Sequence, residues 1–336
     1  MSNIINLSNH SKEGFVMYHI IVNPMSRSGR GKKYWNKVQS ILTQRNIPYQ
    51  VYFTEYHGHA TEIVRELSLH VENTPDNLLL IILGGDGTMN EVIQGIDCFD
   101  KITLSYIPTG SSNDLARDLG ISNNPVTAIL HLLDYPVCTY MDMGVIHCEN
   151  TLFSEGTMSI PDRRFIVSCG IGYDAAICQE AMSSRIKDVL NKCGLGKLTY
   201  LGIALKQLIS TRYITGELIL DGNEESIITL KKLLFIAGMN HRYEGGGFKF
   251  APAANDHDGI LNLCSVAKIS KPKILTVLPS GYQGKHFQFD GVDAYSAKQY
   301  TIRTSEPLWV HTDGEVEAKA DFISVKCNQE VIRFTY

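Results

Sequence analysis

The sequence predicts an α/β domain over residues 16–138 followed by an antiparallel β-sandwich domain over residues 139–336. Through about the first 135 residues, apolar runs of strand length alternate with segments of helical spacing, the rhythm of a right-handed parallel α/β domain. After Asp134 that rhythm gives way to short β-rich stretches separated by turn formers, which favours a sandwich. At 336 residues the chain also exceeds the usual size of one hydrophobic core, so two domains are the natural division.

The elements follow in order. Met17 to Val22 is a short apolar run, a first strand, and it ends in the polar, glycine- and arginine-containing loop NPMSRSGRGKK. Tyr34 to Leu42 has helical spacing and Tyr49 to Phe53 reads as a second strand. An amphipathic helix fits His59 to His70, where Ile63, Val64, Leu67 and Val71 recur at helical intervals. Leu78 to Leu83 is apolar without alternation, as a strand covered on both faces is. A helix follows over Asn90 to Ile96, then a strand over Leu104 to Ile107, which completes a Rossmann-like parallel sheet.

Between the third strand and its helix lies GGDGT. Gly84, Gly85 and Gly87 let the chain turn sharply and bring bare N–H groups near an anion, while Thr88 to Ile93 open a helix whose N-terminus favours negative charge. Asp86 is the odd member, because a carboxylate repels phosphate unless a cation lies between them; it reads as an organiser of magnesium. The plain alternative is a glycine-rich strand-to-helix turn without a ligand.

In the second half, strands are expected at Phe165 to Ser168, Gly216 to Leu220, Leu233 to Ala237, Leu261 to Val266, Tyr300 to Thr304, Leu308 to Thr312 and Phe322 to Lys326, with a DGN turn at Asp221 to Asn223. One helical segment, Leu195 to Ser210, carries Leu198, Leu201, Leu205 and Leu208 on one side; that stripe suits core packing or a lipid-facing wall. The tail from Val316 to Tyr336 either finishes the sandwich, the reading preferred for Phe322 to Lys326, or returns to the first domain.

Composition narrows the function. A net charge of -4 gives no support for non-specific nucleic-acid binding. Eight cysteines without a CxxC pair read as reduced thiols in a cytoplasmic protein. The first fifteen residues are polar, and no stretch is long and apolar enough to span a bilayer, so work on lipid means visiting the membrane surface. Arg27, Arg30, Lys32 and Lys33 suit phosphate, lipid headgroups or water equally well, and a homodimer stays open. His241, His257 and His311 read as polar surface or loop histidines without zinc spacing.

Four motifs now stand in sequence: NPMSRSGRG at Asn23 to Gly31, GGDGTMNEVIQG at Gly84 to Gly95, PTGSSNDLARDLG at Pro108 to Gly120 with Asn113 and Asp114 capping a helix, and the late pair GGGFKFAPAANDHDGILN and HTDGE. Together they resemble the diacylglycerol kinase catalytic-domain family, in particular its soluble bacterial lipid kinases, over about Met17 to Glu315. NAD kinases have a loop similar to GGDGT, but PTGSSNDLAR and the late series separate this chain from them.

That resemblance implies an NAD kinase/diacylglycerol kinase-like fold and an ATP- and Mg²⁺-dependent phosphotransfer to a lipid hydroxyl, diacylglycerol first. Gly84, Gly85, Asp86, Gly87, Thr88, Met89 and Asn90 would bind the nucleotide phosphates, and Asn23, Pro24, Met25, Ser26 and Arg27 would bound the same pocket. Thr54 and Ser111 match family hydroxyls near the nucleotide. Arg27 stands where relatives often carry glycine, which puts the loop conformation there in doubt. In HTDGE, Glu315 is implied as the catalytic base and Asp313 as base or metal organiser, facing Asp86 across a cleft; a DG hairpin turn is the alternative reading. Asn255, Asp258 and Ile260 are implied as a structural magnesium site, with an uncomplicated turn beside it as alternative. A kinase of another acceptor, a sphingoid lipid or NAD, and a nucleotide-binding regulator without turnover remain as rivals.

Overall fold

The computed structural model describes residues 17–74, 77–151, 158–183 and 196–336, without the side chains of 183, 196–201 and 317. The N-terminal residues, Cys193 and the side chains of Leu198 and Leu201 therefore lie outside the described residues. The chain divides into two compact units, one running to Met141 and including Glu330–Tyr336, the other Asp142–Gln329.

The first unit is a layered α/β body. Its strands β1 (Tyr18–Val22), β2 (Tyr49–Phe53), β3 (Leu78–Gly84) and β4 (Ile102–Pro108) stand in the order β2-β1-β3-β4, all parallel. Ile20, Ile21, Leu80, Ile81, Ile82 and Leu104 are fully buried, as unalternating apolar strands between helical layers must be. The connections carry α1 (Ser26–Gly29), α2 (Gly31–Gln44), α3 (His59–Glu72), α4 (Asp86–Gln94), α5 (Asp114–Leu119) and α6 (Pro125–Asp134). Helix α4 starts at Asp86, four residues before the expected start at Asn90, because Gly85 is extended and the chain turns at once. Helix α6 is not among the expected elements, although Asn124 caps it by accepting from Val126 N–H and Pro125 opens it.

The second unit is built mainly from antiparallel strands: β5 (Cys138–Asn150, mostly in this unit), β6 (Met158–Phe165), β7 (Ser168–Gly172), β8 (Ile214–Leu220), β9 (Ile228–Met239), β10 (Leu261–Ala267), β11 (Val292–Ala297), β12 (Gln299–Thr312) and β13 (Glu315–Thr335). Long strands β9 and β12 each pair with β8 through one half and β7 through the other, closing a hydrogen-bonded circuit. Inside it pack Phe165, Ile171, Leu218, Leu233, Tyr300 and Ile302. A second core, with Tyr173, Leu208, Phe235, Val266, Ile274 and Val277, packs helices α7 (Tyr173–Ser183), α8 (Gly196–Ser210) and α9 (Lys271–Gly281) onto strands of this sheet. On α8, Leu208 is buried while Leu205 is exposed, so these two residues of the leucine stripe do not share one environment.

Pairing corrects one expectation and settles another. A strand over Phe165 to Ser168 is absent: β6 ends at Phe165 and β7 begins at Ser168, because the intervening N–H groups turn toward a carboxylate described below. Both fates of the tail are realised in one strand, since β13 pairs with β12 through Phe322 to Lys326 and with β4, in parallel, through Arg333, Phe334 and Thr335. No disulfide links the described cysteines, and no described helix is long and apolar enough to cross a membrane.

Candidate functional site

In the first unit β1 leads outward to β2 on one side and to β3 on the other, so the crevice beyond the carboxyl ends of β1 and β3 is the topological switch point where open α/β sheets hold ligands. Four loops end there, 23–30, 54–58, 84–85 and 109–113, and hydrogen bonds tie them together. Asn23 Nδ2 donates to Thr88 Oγ1 at 3.0 Å, Ser26 Oγ and Thr109 Oγ1 lie 2.9 Å apart, and Thr109 N–H donates to Gly84 O at 2.7 Å. Thr54 is buried at the end of β2, its N–H donating to Val22 O at 2.9 Å.

The glycines are required by backbone crowding. A Cβ on Gly110 would stand 2.6 Å from the Gly85 Cα, and one on Gly84 would stand 2.6 Å from the Thr88 Cβ. Gly85, the residue before α4, offers no capping side chain, and the N-terminus of a helix favours negative charge. The residues of this cradle therefore fit a nucleotide phosphate. Met89 and Asn90, like Thr88, are buried in the first unit. Met25 and Ser111 are exposed.

Asp86 braces the neighbouring loop. Its Oδ2 accepts the Asp114 N–H at 2.9 Å and its Oδ1 accepts from the Tyr106 hydroxyl at 3.3 Å. Burial first, and then the Asp86 charge, push the Tyr106 hydroxyl well above its ordinary pKa, so it remains a donor. The start of α5 is thus capped from the first residue of α4. Asn113, expected to cap it, is left-handed (φ 51) and its Nδ2 donates instead to Gly110 O and Asn123 Oδ1.

One residue of this unit went unremarked in the sequence. Glu91, in GGDGTMNEV, accepts the Ala60 N–H at 3.2 Å, stands 3.1 Å from His57 Nδ1, and takes the Thr61 hydroxyl on its carbonyl at 2.7 Å. It anchors α3 to α4; a carboxylate three residues after the GGDGT threonine was the available signal.

The NPMSRSGRG loop settles the question raised by Arg27. Its backbone is left-handed (φ 48, ψ 52), the conformation glycine adopts without strain, so the loop keeps a glycine-type path. The Arg27 guanidinium reaches the Tyr34 hydroxyl at 3.4 Å.

In the second unit HTDGE forms a two-residue hairpin, Asp313 (φ 50) and Gly314 (φ 85) joining paired Thr312 and Glu315. The Asp313 carboxylate accepts three N–H groups, from Ile166 at 3.1 Å, Val167 at 2.8 Å and Ser168 at 3.0 Å. That engagement makes Asp313 a clamp on the hairpin. Glu315, half-buried at the start of β13, shares a water-sized hollow with Ile146, Cys148, Arg163 and Val310.

His241 and His311 are corrected: both are buried, and of the three histidines expected at the surface His257 alone is an exposed loop residue. His311 Nε2 lies 3.2 Å from Asp174 Oδ2 and 3.4 Å from Glu244 Oε1, and its Nδ1 faces the Gly314 N–H at 3.2 Å. Two half-buried carboxylates offset the cost of burying this imidazole.

The loop holding Asn255, Asp258 and Ile260 is a turn in which Asp258 Oδ1 accepts the Ile260 N–H at 2.9 Å, while Asp142 Oδ2 accepts the Gly259 N–H at 2.7 Å. Asn255 is exposed. Among the described residues no three His, Cys, Asp or Glu side chains are grouped to hold a metal ion, so a cation in this turn would depend on backbone carbonyls beside Asp258.

Comparison with known proteins assigns each half. Residues 17–144 match the diacylglycerol kinase catalytic domain and residues 167–333 match the YegS C-terminal NAD kinase beta sandwich-like domain. The chain is 28% identical over 305 residues to the Bacillus subtilis protein named "Putative lipid kinase YtlR", covering 91% of this chain and 95% of that one. It is 26% identical to a Bacillus subtilis diacylglycerol kinase over 297 residues, 88% of each chain. Its fold is similar to the crystal structure of a "putative diacylglycerol kinase" from Bacillus anthracis str. Sterne, with a TM-score of 0.72 at 22% identity and 97% of each chain covered.

Proposed function

This chain belongs to the diacylglycerol kinase-like lipid kinase family, and on that premise we propose that it transfers the γ-phosphate of ATP to a lipid hydroxyl, with diacylglycerol as the acceptor and phosphatidic acid as the product. The observation that carries this reading is the switch-point cradle: three loops cross-linked through Asn23, Thr88, Ser26 and Thr109 around bare glycine backbone.

In this reading Gly84 to Thr88 hold the phosphates through N–H groups, and Asn23 to Arg27 close the pocket on one side, with Thr54 and Ser111 lending hydroxyls. Asp86 orients the cation and braces α5. Magnesium, when bound, neutralises the phosphate oxygens as charge moves onto the leaving group. Glu315 accepts the proton of the acceptor hydroxyl while that oxygen bonds to the γ-phosphorus; the bond to the bridging oxygen breaks and ADP leaves. Asp313 positions Glu315 by clamping the hairpin. A second cation at Asn255, Asp258 and Ile260 would stabilise the second unit without touching ATP. The protein works from the aqueous side and meets its substrate at the membrane surface.

The test is ATP-dependent phosphorylation of diacylglycerol in mixed micelles by wild type, Asp86→Ala and Glu315→Gln, each checked for folding by circular dichroism. Turnover by the wild type alone is expected; equal rates in all three would discard the site. The match of residues 167–333 to an NAD kinase-like sandwich favours a second reading, NAD as acceptor. Faster phosphorylation of NAD than of any lipid would select it.

A further inference from the structure

We infer that the second unit carries a docking surface for anionic lipid, built where β9, β10 and the start of α9 meet. A groove of about 390 Å³ opens there, lined by Tyr213, Lys232, Lys268, Ile269, Ser270 and Lys271, with Pro272 at its edge. Its lysines are placed by an irregularity of the sheet. The β9–β10 register shifts between Val266 and Ala267, and Lys232 (φ 53) and Lys268 (φ 56) both take left-handed backbone at that bulge. The Lys268 N–H is shared by the Lys231 and Lys232 carbonyls at 3.2 Å, which holds the two exposed lysines beside each other. Lys271 is pinned more firmly: its Nζ donates to Ile209 O at 2.7 Å and lies 5.8 Å from the centre of the Tyr213 ring.

Charge segregation points to an anionic partner. The chain is acidic overall, yet the three segments that build the groove contain no Asp or Glu between Asp188 and Glu217, between Glu225 and Glu244, or between Asp258 and Asp290. Within them Arg212, Lys231, Lys232, Lys268, Lys271 and Lys273 supply positive charge. Exposed aliphatic side chains decide what kind of anion. Ile209 is 79% exposed next to Lys271, and Leu275, one helical turn beyond Lys271 on α9, is 45% exposed. Lysine point charges flanked by aliphatic residues suit a headgroup layer with acyl chains beneath it; recognition of nucleic acid would call for arginine forks and aromatic platforms instead.

Lipid as the partner rests on the kinase reading above, but docking is measured without ATP, so the two can fail separately. The full chain is sedimented with vesicles of phosphatidylglycerol and phosphatidylcholine in equal amounts, and with phosphatidylcholine alone. The wild type should prefer the anionic vesicles and lose that preference as salt rises. Replacing Lys232, Lys268 and Lys273 together by Gln should weaken partition by roughly a hundredfold, at about fivefold per lysine, with the melting temperature unchanged. Ile209→Ser with Leu275→Ser should weaken binding while keeping its salt dependence. Turnover of micellar diacylglycerol in neutral detergent should be the same in all of them. Equal partition of wild type and the lysine variant overturns the inference. So does a groove that binds inorganic phosphate in a protein that shows no preference for anionic vesicles.

Discussion

Half-buried Asp174 Oδ2 and buried His311 Nε2 face each other at 3.2 Å in the second unit, and Gly170 makes the pairing fit. A Cβ at position 170 would lie 2.0 Å from the Asp174 oxygen and 2.5 Å from the His311 nitrogen. The ring is pulled two ways. The Gly314 N–H at Nδ1 favours a neutral imidazole, whereas Asp174 and Glu244 at Nε2 favour imidazolium. Two half-buried carboxylates outweigh one amide dipole.

The balance is legible in pH. Burial pulls the His311 pKa down, but the Glu244 charge and the Asp174 hydrogen bond more than offset it and raise it from 6.5 to about 9. A raised folded-state pKa adds stability that is fully present below about pH 6.5 and lost as pH climbs through about 9, on the order of 3 kcal/mol in all. Denaturant midpoints of wild type and His311→Gln, followed from pH 6 to pH 10, should converge with rising pH. Parallel curves would show that the ring stays neutral throughout.

Asp86 holds two donors, Tyr106 on β4 and Asp114 at the start of α5, so its removal should cost fold as well as catalysis. Asp86→Ala should destabilise the protein by about 2 kcal/mol, the usual scale for losing hydrogen bonds to a charged acceptor. Asp86→Asn keeps one acceptor and should lose less stability while losing phosphotransfer as completely. Thermal melts beside the micelle assay separate the two effects; an Asn variant with wild-type turnover would reduce Asp86 to a brace.

Asp313 and Glu315 should dissociate in the opposite sense. Asp313→Asn turns one oxygen that meets an N–H group into a second donor, which should cost about 2 kcal/mol and blur the hairpin. Glu315→Gln, which keeps the size and shape of the side chain, should retain a cooperative melt and abolish turnover. A stable, active Glu315→Gln enzyme would move the base elsewhere.

Much of the first unit was readable because its signals are local. An unbroken apolar run such as Leu78 to Leu83 suits a doubly covered strand, and glycines crowded to 2.6 Å announce themselves as GG and TG in the sequence. What escaped depends on distant partners. His311 looks like a surface residue until Asp174, 137 positions away, is brought to it. The break at Ile166 and Val167 looks like a strand until Asp313 draws their N–H groups together across 147 and 146 positions. The burial of Met89 and Asn90 is likewise set by packing, since both lie on the inward side of the helix that begins at Asp86.

Arg27 combines a local departure with a local test. Left-handed backbone costs a non-glycine residue about 1 kcal/mol or more, partly offset by the extra freedom glycine has in the unfolded chain. Arg27→Gly should therefore raise stability by about 0.5 kcal/mol, whereas Arg27→Ala keeps the strained backbone and should not. If the guanidinium turns from Tyr34 to meet ATP, both variants should raise the KM for ATP severalfold and leave kcat nearly unchanged, the pattern of lost uniform binding. An unchanged KM in both would confine Arg27 to its 3.4 Å contact with Tyr34.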